Sequence, residues 1–319
     1  MPSAVEAEDA LGPFCMYSLS TCWNSHRHTD GRAMLREIRG LGFEYAELSH
    51  GIRISLLPGI IEAVDAGEAQ ISTLHNFCPL PIGVNQANPN LFQFSSVESR
   101  ERENAWRYSI KTLDTAQRLK ANLVVLHLGR IDMKEYTGRL IELAGEGQQQ
   151  TPKYEKLCAE AIERREQRKE RHLQLAGEML GRLTAEAEAR GLRLGIENRE
   201  ALEEIPLESD FTLFFKEFRG PTVCYWHDTG HAQIKENLGF IRHAMHLGSL
   251  AERLAGFHIH DVQFPARDHC PPGAGMIDFA ALKPMVKAEH IKVFELSPGV
   301  PVEDLRRGVE YLKGVWGEE

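Results

Sequence analysis

The chain has 319 residues, 42% of them apolar and 26% charged, and a formal net charge of −9 at pH 7. These are the proportions of an ordinary soluble globular protein, and no apolar run approaches the roughly 20 residues that a membrane span requires. The negative charge disfavours a large phosphate-backbone footprint, which draws its affinity from clustered Lys and Arg, so neither nucleic acid nor membrane is the expected partner.

The opening residues, "MPSAVEAEDALG", carry acidic side chains where a secretory signal would have a basic flank and then an apolar segment. Residues 1–12 are therefore expected to be a lead-in, and 13–319 a single domain of a cytoplasmic protein. Six cysteines, Cys15, Cys22, Cys78, Cys158, Cys224 and Cys270, form no CxxC pair. That argues against a zinc knuckle, a thioredoxin-type site or a disulfide framework.

Apolar, β-branched or aromatic runs recur along the chain, each followed by a segment with helical spacing. The strand candidates are Phe14–Ser20, Phe43–Leu48, Gln70–His75, Leu123–Leu128, Leu192–Glu197, Thr222–Asp228, Gly256–His260 and Lys292–Leu296. Helices are expected near 30–40, 52–66, 97–119, 155–190, 208–217, 240–253, 279–289 and 302–315. Strict alternation makes the strands parallel neighbours, and eight repeats is the number that closes a (β/α)8 TIM barrel. An open doubly wound sheet is the alternative, but no GxGxxG follows the first strand. The connection between the fourth and fifth strands is enlarged. In it, "AGEGQQQTPKY" reads as a loop able to form part of a lid, and "ERREQRKER" as a solvated helix face with i,i+4 pairs.

The chemistry collects by position. "LVVLH", "LRLGIE", "TVCYWHD", "GFHIH" and "KVFE" run into His127, Glu197, Asp228, His258 and Glu295, and "QISTLH" adds His75. In a barrel these strand ends meet at one mouth, where enzymes of this architecture place their active sites. Several buried carboxylates and imidazoles without a cation would be costly in desolvation and repulsion. One divalent metal removes that cost, and mixed carboxylate and imidazole ligation suits Mn, Zn, Co or Fe. The expected ligands are Glu197, Asp228, His258 and Glu295. The two-residue strand period gives His258 and His260 parallel directions, so alternation alone does not choose between them. His231, three residues after Asp228, is expected to face the same mouth. Trp23, His26, His28, Trp226 and Arg267 are further candidates to line it.

"IEN" with Glu197, "HDTGH" with Asp228 and His231, "FHIHD" with His258 and Asp261, "PPGAGMIDF" with Gly273, Gly275 and Asp278, and "FELSP" with Glu295 together resemble the xylose isomerase-like TIM-barrel superfamily. That superfamily includes ketose 3-epimerases, inosose dehydratase, hydroxypyruvate isomerase and endonuclease IV. The resemblance, running from about residue 14 to 315, implies that His258 is the ligand and Asp261 a carboxylate behind it or in the pocket. It further implies that Gly273 and Gly275 shape the turn and that Asp278 caps the next helix.

The resemblance implies a metal-dependent sugar or polyol isomerase or epimerase acting through an enediolate, with Glu197 and Glu295 as the catalytic acid/base pair. His75, His127, His231, Asp261, Arg267 and His269 would contact the carbohydrate. An inosose-type dehydratase is the near neighbour. An endonuclease IV-like phosphodiesterase would use His75 and His127 for further metals, but it also needs Asp-x-His in the seventh loop. Here Arg267 stands two residues before His269, and Asp268 is displaced by one. A non-catalytic binding barrel is the third class, and a homo-oligomer is compatible with any of them.

Overall fold

A computed structural model describes residues 16–84, 86–88 and 90–317. The expected lead-in, and Phe14 and Cys15 of the first strand candidate, lie outside the described residues. The strands are β1 Tyr17–Ser20, β2 Tyr45–Leu48, β3 Gln70–His75, β4 Leu123–Leu126, β5 Arg193–Glu197, β6 Val223–Asp228, β7 Leu254–Ile259, β8 Asp261–Gln263, β9 Arg267–Cys270 and β10 Ile291–Phe294. The barrel closes in the order β1-β10-β7-β6-β5-β4-β3-β2, all neighbours parallel, because β1 pairs with both β10 and β2. This is the (β/α)8 architecture that the alternation predicts. β8 and β9 stand apart as an antiparallel hairpin after the seventh barrel strand.

Helices α1 Gly31–Gly40, α2 Leu57–Asp65, α3 Ser99–Arg118, α4 Thr137–Gly145, α5 Pro152–Ala189, α6 Phe211–Glu217, α7 Thr229–Asn237, α8 His243–Leu250, α9 Phe279–Leu282 and α10 Val302–Trp316 surround the barrel. Among the described residues no helix is long and apolar enough to cross a membrane. The barrel interior is filled by Leu123, Val125, Cys224, Trp226, Ala255, Ile291 and Val293. Trp226, a candidate loop contributor, is instead part of this floor, its ring 5.2 Å from that of His258. Trp23 is also buried, donating from Nε1 to the Val300 carbonyl at 2.9 Å.

Two helices depart from the sequence expectation for identifiable reasons. The start of α4 has no local side-chain cap; Glu203, from the loop after β5, accepts from Tyr136 N at 2.5 Å, Thr137 N at 3.1 Å and Thr137 Oγ1 at 2.8 Å. A cap supplied 66 residues away leaves no signature in the local sequence. α7 is buried on nearly every face, so it lacks the apolar stripe by which helices are read.

The charged run in α5 is solvated as expected except at Arg165, which is fully buried. Its guanidinium pairs with Asp210 at 2.6 Å and donates to the carbonyls of Leu202 at 2.8 Å and Glu204 at 3.1 Å. α5 is thereby pinned under the loop that follows β5, and that loop supplies part of the site.

Candidate active site

Glu197 ends β5, Asp228 ends β6, His258 is next to last in β7 and Glu295 follows β10 directly. All four are buried, and one ligand-type atom from each lies within 4.8 Å of the others. The parallel register sets Asp228 beside His258 and Glu197 beside Trp226, so neighbouring strand ends deliver the side chains to one place. His258 Nδ1 is 3.0 Å from Glu197 Oε1, 3.3 Å from Glu295 Oε2 and 3.9 Å from Asp228 Oδ2.

The other ring nitrogen of His258, Nε2, meets Glu47 Oε2 at 2.9 Å, and that carboxylate oxygen also accepts from Thr73 Oγ1 at 2.8 Å. A carboxylate behind an imidazole fixes its tautomer and aims the opposite nitrogen. Glu47 was not among the sequence candidates, although "FEYAEL" is an apolar run with a carboxylate near its end, like the others. His260 takes a different position. Its Nε2 is 3.1 Å from Asp228 Oδ2, its Nδ1 accepts from His269 N at 2.9 Å, and it can group with His269 and Glu295.

Asp228 has a second task as the N-cap of α7, its Oδ1 accepting from His231 N at 2.7 Å. That turn brings His231 into the mouth, where Nδ1 is 2.9 Å from the Asn198 carbonyl. His231 also groups with Glu200 and Asp268. Gly230 between them is obligatory, since a Cβ there would lie 2.0 Å from the His260 ring.

His75 and His127 meet on the far side of Glu197. Their Nε2 atoms are 3.0 Å apart, and Glu197 Oε2 is 2.5 Å from that of His127 and 3.4 Å from that of His75. Arg199, two residues after Glu197, enters the same space. Its Nη1 is 2.8 Å from His127 Nε2, 3.3 Å from Glu197 Oε2 and 3.4 Å from His231 Nδ1. Glu204 Oε1 accepts from Arg199 Nε at 3.3 Å and Nη2 at 3.2 Å, and is itself held by Asn90 Nδ2 at 2.8 Å. A loop arginine in "IENRE" gives no sequence signal of burial, and sequence reasoning passed over it.

The β8–β9 hairpin carries the remaining candidates. Both oxygens of Asp261 are spent on main-chain amides, accepting from Val262 N, Gly273 N, Gly275 N and Ile277 N at 2.8 to 3.0 Å. This buried carboxylate organises the loop, a use different from the sugar contact expected of it. Gly275 passes so close that a Cβ would fall 2.4 Å from Asp261 Oδ1. Asp278 caps α9 by accepting from Ala281 N, as its position predicts. Arg267 is exposed, and both it and His269 line a cavity of about 820 Å³ beside the hairpin. His269 has a φ of 50°, a left-handed conformation uncommon outside glycine, and its Nδ1 is 3.0 Å from the Glu295 carbonyl. His26 is exposed in the short 3-10 turn Ser25–Arg27 after β1, and His28, just beyond that turn, pairs with Glu37 at 2.6 Å.

Electrostatics follow from this crowding. Burial alone would raise the Glu197 carboxyl, but the imidazoles of His127 and His258 hold it well below the usual range. Burial opposes protonation of His258, yet Glu295, Glu47 and Glu197 push its pKa well up. Burial, aided by the Arg199 charge, pushes His127 down to about 3. For His260, burial is outweighed by Asp228, and the pKa rises to about 9. Three buried carboxylates around one imidazole nitrogen form a site short of positive charge, which a divalent cation would supply. The donor set fits such an ion, with three carboxylates and one oriented ring nitrogen.

The family described as xylose isomerase-like TIM barrel matches residues 35–315. No curated protein sequence matches the chain. Among solved structures, a D-tagatose 3-epimerase-like protein is similar, with a TM-score of 0.68 at 17% identity, over 95% of this chain and 97% of that one. The 3-keto-D-glucoside 4-epimerase YcjR of E. coli aligns with a TM-score of 0.66 at 15% identity, over 94% and 99%. A D-allulose 3-epimerase from Methylomonas sp., solved with D-allulose, gives 0.65 at 14% identity, over 94% and 97%. At such identities these likenesses speak to the fold.

Proposed function

From the premise that the chain belongs to the xylose isomerase-like TIM-barrel family, we propose that it is a divalent-metal-dependent sugar or polyol isomerase or epimerase. Glu197, Asp228, His258 and Glu295 would hold the ion. The observation that carries this reading is the buried convergence of three carboxylates on His258 Nδ1. Sugar epimerases among the structural neighbours support the same chemistry.

The bound ion would supply charge to polarise a carbonyl and its neighbouring hydroxyl. The chain's own residues do the rest. Glu197 and Glu295 reach the centre from β5 and from beyond β10, on either side of the β7 imidazole, and serve as the proton acceptor and donor at the carbon next to the carbonyl. Glu47 keeps His258 aimed inward. His75, His127 and His231, with Arg199 among them, line the wall from β3 to β6, and the imidazoles offer hydrogen bonds to substrate hydroxyls. A polar cavity of about 450 Å³ lined by Asn88, Asn90, Gln93 and Arg199 extends from that wall and suits the hydroxylated tail of a small carbohydrate.

The direct test is turnover of a panel of ketoses, inososes and keto acids in deuterated water with Mn2+, Zn2+ or Co2+ present. Deuterium is expected at the carbon adjacent to the carbonyl. Conversion of a sugar without deuterium uptake would point to shielded or hydride transfer, and cleavage of abasic DNA without sugar exchange would favour the phosphodiesterase reading.

The role of Glu47 gives a separate expectation. Glu47→Gln keeps the shape but weakens the grip on His258 Nε2, and should reduce metal affinity by about 10- to 100-fold. Chelator competition measures it; affinity within twofold of wild type would show that His258 needs no partner on β2.

A further inference from the structure

Glu197 presents its two oxygens to two different neighbourhoods. Oε1 faces His258 and the ligand cluster, while Oε2 faces His127, His75 and Arg199. A carboxylate that divides itself in this way can bridge two metal ions, and two imidazole nitrogens 3.0 Å apart stand ready on the second side. What occupies that second side here is a cation belonging to the chain. Arg199 Nη1 lies against His127 Nε2 and Glu197 Oε2, atoms that a second ion would use.

The guanidinium is built in rather than swung in. Arg199 is 3% exposed, and its Nε and Nη2 are braced by Glu204, whose carboxylate also accepts from Asn90 Nδ2 and from Ala201 N at 3.2 Å. Glu204 is fixed in turn, since its carbonyl accepts from buried Arg165 and its residue pairs as an isolated bridge with Arg130. Arginine stays protonated at any physiological pH, so this charge is permanent. Two cations sharing that space would repel strongly at low dielectric.

We propose that Arg199 is a positioning residue that takes the place of a second metal, limiting the mouth to one ion and committing His75 and His127 to substrate rather than to ligation. The inference rests on the four-residue metal site proposed above and sharpens it, because a mononuclear centre suits proton transfer on a sugar while a multinuclear one suits phosphodiester cleavage.

The experiment counts Co2+ bound to the demetallated full-length protein by equilibrium dialysis, with the visible spectrum as a second readout. Wild type is expected to bind one equivalent. The pair Arg199→Ala with Glu204→Gln, which removes the guanidinium without stranding its buried partner charge, should bind two. Adding His127→Ala should return the count to one. A second equivalent in wild type, or one equivalent in folded R199A/E204Q, overturns the inference. If that pair fails to fold, His127→Ala alone decides: retention of one tightly bound equivalent supports the proposal, and its loss overturns it. Wild type that binds no Co2+ defeats the metal assignment itself, whereas one equivalent in both wild type and R199A/E204Q defeats only the role of Arg199.

Discussion

Asp228→Ala is expected to abolish tight divalent-metal binding, with a loss exceeding the roughly 100-fold that follows removal of an outer partner. The carboxylate stands among Glu197, His258 and Glu295 as one of four side chains that could hold the ion. The alanine variant also strips the N-cap from α7, which costs about 1 kcal/mol in helix stability. Asp228→Asn separates the two effects, because asparagine caps helices as well as aspartate but brings no charge. Calorimetric titration should find both variants metal-deficient, and thermal melts without metal should find the alanine variant the less stable. Wild-type affinity in the alanine variant would remove Asp228 from the ligand set.

The second large effect concerns the proposed acid/base pair, Glu197 and Glu295. Glu295→Gln retains the shape and a carbonyl oxygen but cannot accept a proton, so exchange of the substrate hydrogen with solvent should slow by at least about 10²-fold. Glu197→Gln should do the same, with a further cost because its Oε2 also sits at 2.5 Å from His127. Measured at saturating metal, kcat should fall much more than KM rises, the signature of an interaction made chiefly in the transition state. Exchange within twofold of wild type for Glu295→Gln would transfer the proton to another residue.

Most of the barrel was legible because parallel strands buried on both faces leave plain apolar runs, and because the side chains at their ends break that pattern with charge. The pattern even contains Glu47, inside the strand candidate Phe43–Leu48 but one residue short of its apolar end, where it does not stand out as a terminal charge. What stayed hidden depends on contacts distant in sequence. The cap of α4 comes from Glu203, buried Arg165 is paired with Asp210, and buried Arg199 is paired with Glu204, which Asn90 holds in turn. The β8–β9 hairpin was also missed, since its strands are short and its register is interrupted between Asp261 and Gln263. The choice of His258 over His260 rested on the resemblance alone; the geometry puts Nδ1 of His258 among the three carboxylates and spends His260 on Asp228 and the His269 amide.

The double duty of Asp228 changes what that position can say about a lineage. A descendant that had lost the chemistry would still need an oxygen there to begin α7, so drift would be confined to aspartate, asparagine, serine or threonine, and an aspartate would persist by architecture alone. The Glu295 side chain carries no such obligation, its carboxylate meeting His258 and capping no helix among the described residues. Once freed from selection for activity it would vary early. Sorting relatives into working enzymes and retired barrels should therefore weigh the residue after β10 above the aspartate at the end of β6, although the latter looks the more deeply embedded.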